Sequence, residues 1–93
     1  YIQKVVCDYF ELEMDMLKSK TRKRNVVQAR QIAMYFAKNM TKSSLSSIGA
    51  HCGGKDHATV LHACRTVNNL IETDKKFKAS VQELQKKIAV SSK

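Results

Sequence analysis

The sequence predicts an all-α fold: a compact helical domain of about six helices around a helix-turn-helix core. Three observations carry this. Apolar residues recur at helical spacing along the chain, and no segment keeps up the strict apolar–polar alternation of a half-buried strand. Proline is absent and glycine occurs 3 times in 93 residues, which argues against turn-rich β-sandwiches and Pro-rich low-complexity chains. Two of those glycines are adjacent, Gly53-Gly54, and they separate a short helical segment from a longer one, the outline of a helix-turn-helix. The length suits one domain, 1–93, with the helix-turn-helix at about 44–72.

The elements follow in order. Ile2, Val5, Val6, Tyr9 and Phe10 form one face of a first helix. A short helix around Glu13–Leu17 turns Leu17 inward and keeps its acids at the amino end, where the helix dipole favours them. Ser19–Arg24 reads as a polar basic linker. Asn25 with Gln28 three residues on has the pattern of a capping box and opens a long helix. Its core stripe is Val26, Ala29, Ala33, Phe36, Ala37 and Met40, with Gln31 and Lys38 away from it. Ser44 is the expected N-cap of the next helix, in which Leu45, Ile48 and Cys52 share a face. Gly53-Gly54 ends it, and Asp56 begins another. There the inner stripe is Val60, Ala63, Cys64, Val67, Leu70 and Ile71, and the opposite face shows Ala58, Leu61, His62, Arg65 and Asn69. A last helix follows Thr73-Asp74 with Phe77, Val81, Leu84 and Ile88 inward, and Ser91–Lys93 is a frayed tail.

Charge narrows the function. Lys+Arg is 17, Asp+Glu is 8 and the net is +9. From Met16 to Lys55 there are nine bases and no acid, while the rest of the chain balances eight against eight. A single-sign block attracts polyanions, nucleic acid first and anionic membrane second, although a solvated basic face needs no partner. No apolar run approaches the roughly 18–20 residues of a membrane span. Cys7, Cys52 and Cys64 make an odd count with no disulfide framework, which fits a reducing compartment and three buried, inert thiols. His51, His57 and His62 lie near Cys52, but no pair has zinc-site spacing and no metal is expected. The chain opens at Tyr1 without methionine and reads as a piece of a longer protein.

The helix-turn-helix outline assigns chemistry. In that motif the first residues of the second helix meet base edges in the major groove. Here they are Lys55, Asp56, His57, Ala58 and Thr59, short or polar side chains that suit close approach. Aspartate can accept from the cytosine amino group, and Ala or Thr methyls can touch a thymine methyl. Plain helix capping by Asp56 is the alternative, and Asp56 can do both. The amides of Leu45 and Ser46 open the preceding helix and can hold a phosphate; Arg30, Gln31, Lys38 and Lys42 can hold others. The linker Thr21–Arg24 can act as an arm in a narrow minor groove, or remain a solvated loop.

The run Ile48-Gly49-Ala50-His51-Cys52-Gly53-Gly54-Lys55-Asp56-His57-Ala58-Thr59-Val60-Leu61-His62-Ala63 resembles the C-terminal signature of the DnaA family of bacterial chromosomal replication initiators. Arg30-Gln31-Ile32-Ala33-Met34-Tyr35, the basic linker and the opening Ile2–Phe10 pattern resemble that family too. The resemblance implies a Trp-repressor-like helical fold that binds short asymmetric duplex boxes in the replication origin. It puts Asp56, His57 and Thr59, with Ala58 between them, at base-reading positions and Arg22 at the minor-groove position. Arg30, Gln31, Lys38, Leu45, Ser46, Ile48 and His62 match backbone-contacting positions, to which the charge argument adds Lys42 and Lys55. In the family this unit follows an AAA+ module, so ATP is expected there and no cofactor here. The resemblance also implies a cytoplasmic, nucleoid-associated protein, monomeric as an isolated domain. Three positions depart from the family's usual residues. Ala58 replaces Ser or Thr, keeping a methyl and losing a hydroxyl. Lys55 replaces Arg, losing bidentate bonding. Cys52 replaces an aromatic, a change assigned to core packing.

Other readings are a basic interaction module for an acidic regulatory protein, a helix-turn-helix transcription regulator, or an RNA-binding domain. The last is weakened because RNA readers stack bases on exposed aromatics, whereas these aromatics fall mostly on core stripes. No spacing argues for a Ser–His–Asp or Cys–His set, and there is no Walker-type loop, so no enzymatic role is expected.

Overall fold

The computed structural model describes residues 2–18 and 23–91 and contains six helices there, with no strand. They are α1 (Ile2–Phe10), α2 (Met14–Lys18), α3 (Arg24–Met40), α4 (Leu45–His51), α5 (His57–Thr73) and α6 (Lys75–Ser91). The all-helical expectation holds, and each segment read from the sequence has its helix.

Apolar burial explains where the helices sit. α1 buries Val6 and Cys7 and rests Ile2, Val5, Tyr9 and Phe10 against the same core. It stops at Glu11, whose φ of 57° is left-handed, while Leu12 N–H reaches back to Cys7 O at 2.8 Å. α2 is one short turn that drives Leu17 fully into the interior. Arg30 Nε donates to Leu17 O at 2.8 Å, tying the end of α2 to α3.

At the start of α3 the structure differs from the sequence reading. The helix begins at Arg24, its N-cap is Lys23, and that residue makes no side-chain capping bond. Asn25 lies inside the first turn, so the capping box with Gln28 does not form. Val26, next in that turn, is buried completely. Arg24 belongs to a helix and not to a linker. Residues 19–22, including Arg22, lie outside the described residues.

The core stripe of α3 is also wider than expected. Val26, Ala29, Ala33 and Phe36 are buried as predicted, but so are Ile32 and Met34, while Met40 is 37% exposed. At about 100° per residue these six buried positions span roughly 200° of the helix surface. One apolar face cannot explain that; two cores can. The larger contains Val6, Leu17, Ile32, Phe36, Val67 and Leu84. The smaller contains Met34, Ile48, Cys52, Val60, Ala63 and Cys64. α3 and α5 pass through both.

α6 closes the larger core with Phe77, Val81, Leu84 and Ile88, all buried. Asp74 caps it, its Oδ1 accepting from Lys76 N–H at 3.0 Å and Phe77 N–H at 3.1 Å. Ser91, expected to open a frayed tail, is the last residue of α6, because buried Ile88 carries the helix onward; residues 92 and 93 lie outside the described set. Outside the core, Tyr9 OH donates to Glu83 Oε2 at 3.3 Å, and Lys87 Nζ sits 5.1 Å from the centre of the Tyr9 ring, joining α1 to α6.

Leu84 is fully buried where α6 meets the larger core. Leu84→Ala should lower stability by about 2–5 kcal/mol, read as a lower denaturant midpoint with an unchanged slope.

Candidate nucleic-acid interface

The interface candidate is built from α4, the turn after it and the start of α5. Ser44 caps α4 as expected: its Oγ accepts from Ser47 N–H at 3.1 Å. Leu45 and Ser46 supply the first two helical amides, which have no carbonyl one turn back to bond. α4 ends at a glycine turn in which Gly53 and Gly54 have φ of 94° and 74°, the left-handed region where a Cβ is strained.

Gly49 sets the distance between α4 and the chain leaving the turn. Its carbonyl accepts from Lys55 N–H at 2.9 Å, and a Cβ on it would lie 2.0 Å from Lys55 O. The sequence reading missed this role. Its one signal was a glycine inside a seven-residue helix, where glycine costs about 1 kcal/mol relative to alanine.

The turn delivers Asp56 as N-cap of α5. Its Oδ1 accepts from Thr59 N–H at 2.8 Å and from Thr59 Oγ1 at 2.7 Å. Those hydrogen bonds hold the carboxyl below the ordinary carboxylate range, since they favour the ionised form. Asp56, His57, Ala58 and Thr59 are all exposed, and roughly one, two and three turns later His62, Arg65 and Asn69 are exposed on the same helix. Beneath them Val60, Ala63 and Cys64 are buried against Met34, Ile48 and Cys52. Cys52 thus lies in the core, as its replacement of an aromatic suggested.

The other candidates divide. Lys38 and Lys42 are exposed; Lys55, Arg30 and Gln31 are half-buried. Lys38 lies close enough to Cys64 for its charge to oppose the burial that pushes that thiol up, which places it on the α5 side of α3. Arg30 commits its Nε to Leu17 O. Ile48 is the most deeply placed of these positions. It is 3% exposed, and its amide donates to Ser44 O at 3.0 Å. It packs under the interface, because the smaller core needs its side chain. Arg22 lies outside the described residues.

All three cysteines are buried and none forms a disulfide, and burial raises the Cys7 and Cys64 thiols above their ordinary range. Among the described residues no three His, Cys, Asp or Glu side chains gather as a metal site, and no helix is long and apolar enough to cross a membrane.

Residues 1–67, from α1 through most of α5, match the family described as "Bacterial dnaA protein helix-turn-helix". The chain belongs to that family. It is 62% identical over 90 residues, 97% of this chain, to a chromosomal replication initiator protein DnaA of Flavobacterium psychrophilum. It is 61% identical over 84 residues, 90% of this chain, to the protein of that name from Bacteroides thetaiotaomicron, and 44% identical over 91 residues, 98% of this chain, to that of Chlorobaculum tepidum. The matches cover 19%, 18% and 18% of those three relatives, so the chain spans about a fifth of their length. The family match ends inside α5, whereas the alignments with these relatives cover nearly all of this chain.

Two outcomes follow for the DnaA-type turn. Gly49→Ala forces backbone apart at a 2.0 Å contact and should cost at least the roughly 1–3 kcal/mol typical of overpacking, seen as a lower melting temperature. Because the folded Asp56 carboxyl titrates below its unfolded value, its capping contribution is complete above the ordinary aspartate range. It disappears as pH falls through the depressed value. A Thr59 amide shift followed by NMR should therefore titrate below the range of an unstructured aspartate, and Asp56→Asn should abolish that titration.

Proposed function

We propose that this chain is a sequence-specific double-stranded DNA-binding domain that recognises short boxes in a bacterial replication origin. The observation that carries the reading is the tip of α5. Four consecutive short or polar residues, Asp56–Thr59, are exposed on a rigid glycine turn, beside a block of the chain with nine bases and no acid. Membership of the DnaA helix-turn-helix family and kinship with replication initiators support it.

The recognition chemistry follows from the hydrogen bonds. Asp56 uses Oδ1 internally, which leaves Oδ2 to accept from a cytosine amino group. The Thr59 hydroxyl donates to Asp56, so Thr59 offers a base edge its methyl and an oxygen lone pair. Ala58 adds a second methyl beside it, and His57 supplies a ring nitrogen. Lys38, Lys42, Lys55, His62, the amides of Leu45 and Ser46, and the basic groups of Arg30 and Gln31's amide side chain position the phosphates. Arg22 enters the adjacent minor groove. The aromatics support duplex over single-stranded RNA: Phe36 and Phe77 are buried, and Tyr9, Phe10 and Tyr35 pack against the larger core, leaving few flat faces for unpaired bases.

On this reading the domain acts at the nucleoid in the cytoplasm as a monomer, without cofactor or catalytic step, and ATP belongs to the remainder of the longer protein. Regulatory proteins that cover Asp56–Thr59 exclude the duplex.

Titration of an origin duplex and a scrambled duplex tests the reading: the origin duplex should bind more tightly, and equal affinities would reject sequence-specific recognition. Neutralising about five phosphates gives a log–log salt slope near −4 to −5. His57→Ala should cost about 1–3 kcal/mol on the origin duplex and little on the scrambled one, whereas Lys42→Ala should weaken both and flatten the slope by about 1.

A further inference from the structure

The carboxyl end of α4 has a partner from far away in the chain. A helix leaves its last four carbonyls without intrahelical partners, here those of Ile48, Gly49, Ala50 and His51. The turn satisfies three. Cys52 N–H donates to Ile48 O and Gly49 O, both at 3.1 Å; Lys55 N–H adds a bond to Gly49 O at 2.9 Å; Gly54 N–H reaches Ala50 O at 3.4 Å. The fourth, His51 O, accepts from Gln3 Nε2 on α1 at 3.1 Å. The same amide group lies 3.5 Å from Cys52 Sγ.

Gln3 is a polar residue in an apolar place. It precedes Val6, Cys7 and Phe10 by three, four and seven residues, the spacing of one helix stripe, and Val6 and Cys7 are buried. It lines a cavity of about 530 Å³ whose walls include Ile2 on α1, Ile48 and His51 on α4, and Cys52 just after it. Its side chain crosses the edge of that cavity, from a helix of the larger core to a helix whose Ile48 and the capping Cys52 belong to the smaller.

From this we infer that Gln3 is a positioning residue for DNA reading: by closing the last open carbonyl of α4, it fixes the turn that aims Asp56–Thr59. It acts through the backbone of residues 51–55 and touches no base or phosphate. The inference rests on the proposed DNA reading for its consequence, but its structural half can be measured without DNA.

The test uses the 93-residue chain with Gln3→Met, which keeps an unbranched side chain of similar size and loses the donor, and Gln3→Ala, which removes the side chain from a helix that tolerates alanine. Both should speed hydrogen exchange of the Gly54 and Lys55 amides while leaving exchange in α6 unchanged. Both should lower the ratio of origin-duplex to scrambled-duplex affinity by roughly threefold to tenfold, the worth of one hydrogen bond, at an unchanged salt slope. A Gln3→Met chain with wild-type exchange at Gly54 and Lys55 would overturn the inference. So would a parallel loss of affinity for both duplexes, which is the signature of general destabilisation. If the unsubstituted chain does not discriminate the duplexes, the DNA reading fails, and amide exchange alone then decides whether Gln3 holds the turn.

Discussion

A backbone contact governs this structure: the chain leaving the glycine turn passes directly against Gly49 of α4. Lys55 N–H bonds the Gly49 carbonyl at 2.9 Å, and the space a side chain would take there is filled by the Lys55 carbonyl. That approach determines where Asp56 lies. Asp56 in turn caps α5 through Thr59, and the capped end is the exposed tip. Because backbone holds backbone, the side chains at the tip are free of structural duty except for Asp56 and Thr59. Those two share one short network, with a carboxylate that stays ionised through the neutral range.

The two cores divide the mechanical work. The larger, under α1, α2, α3 and α6, contains most of the large buried side chains and carries most of the hydrophobic stabilisation. The smaller one is made of medium and small residues, Met34, Ile48, Cys52, Val60, Ala63 and Cys64. Its rigidity comes from continuity: α3 and α5 each run through both cores, so the tip is braced by the larger one at a distance. Ile48 illustrates the division, since it lies under the interface and holds α4 down.

Charge works against folding and toward a polyanion. Lys23 and Arg24 stand at the amino end of α3, where the helix dipole disfavours cations, and neither α3 nor α4 has an acid in its first turn. Nine bases without an acid between Met16 and Lys55 make one run of like charge along the sequence, and like charge attracts a polyanion. Under the proposed function, positions that lower intrinsic stability are the ones that raise affinity.

Most of the architecture was legible in the chain because helix formation and capping are local. Periodic burial located all six helices, Ser44 and Asp56 were visible as caps, Gly53-Gly54 as the turn, and Phe77, Val81, Leu84 and Ile88 as the inner stripe of α6. The exposed tip followed from the same periodicity, since Ala58 and His62 lie opposite Val60 and Cys64. What periodicity could not reveal depends on neighbours distant in sequence. Ile32 and Met34 are buried because α3 faces two cores at once. α3 starts at Arg24, ahead of the Asn25 cap that the local pattern suggested. Gly49 and Gln3 acquire their roles only when α4 meets the returning backbone and α1 folds beside it. A single strand of sequence encodes which face of a helix is apolar; how many partners will cover that face, and how near they come, is settled when the helices pack.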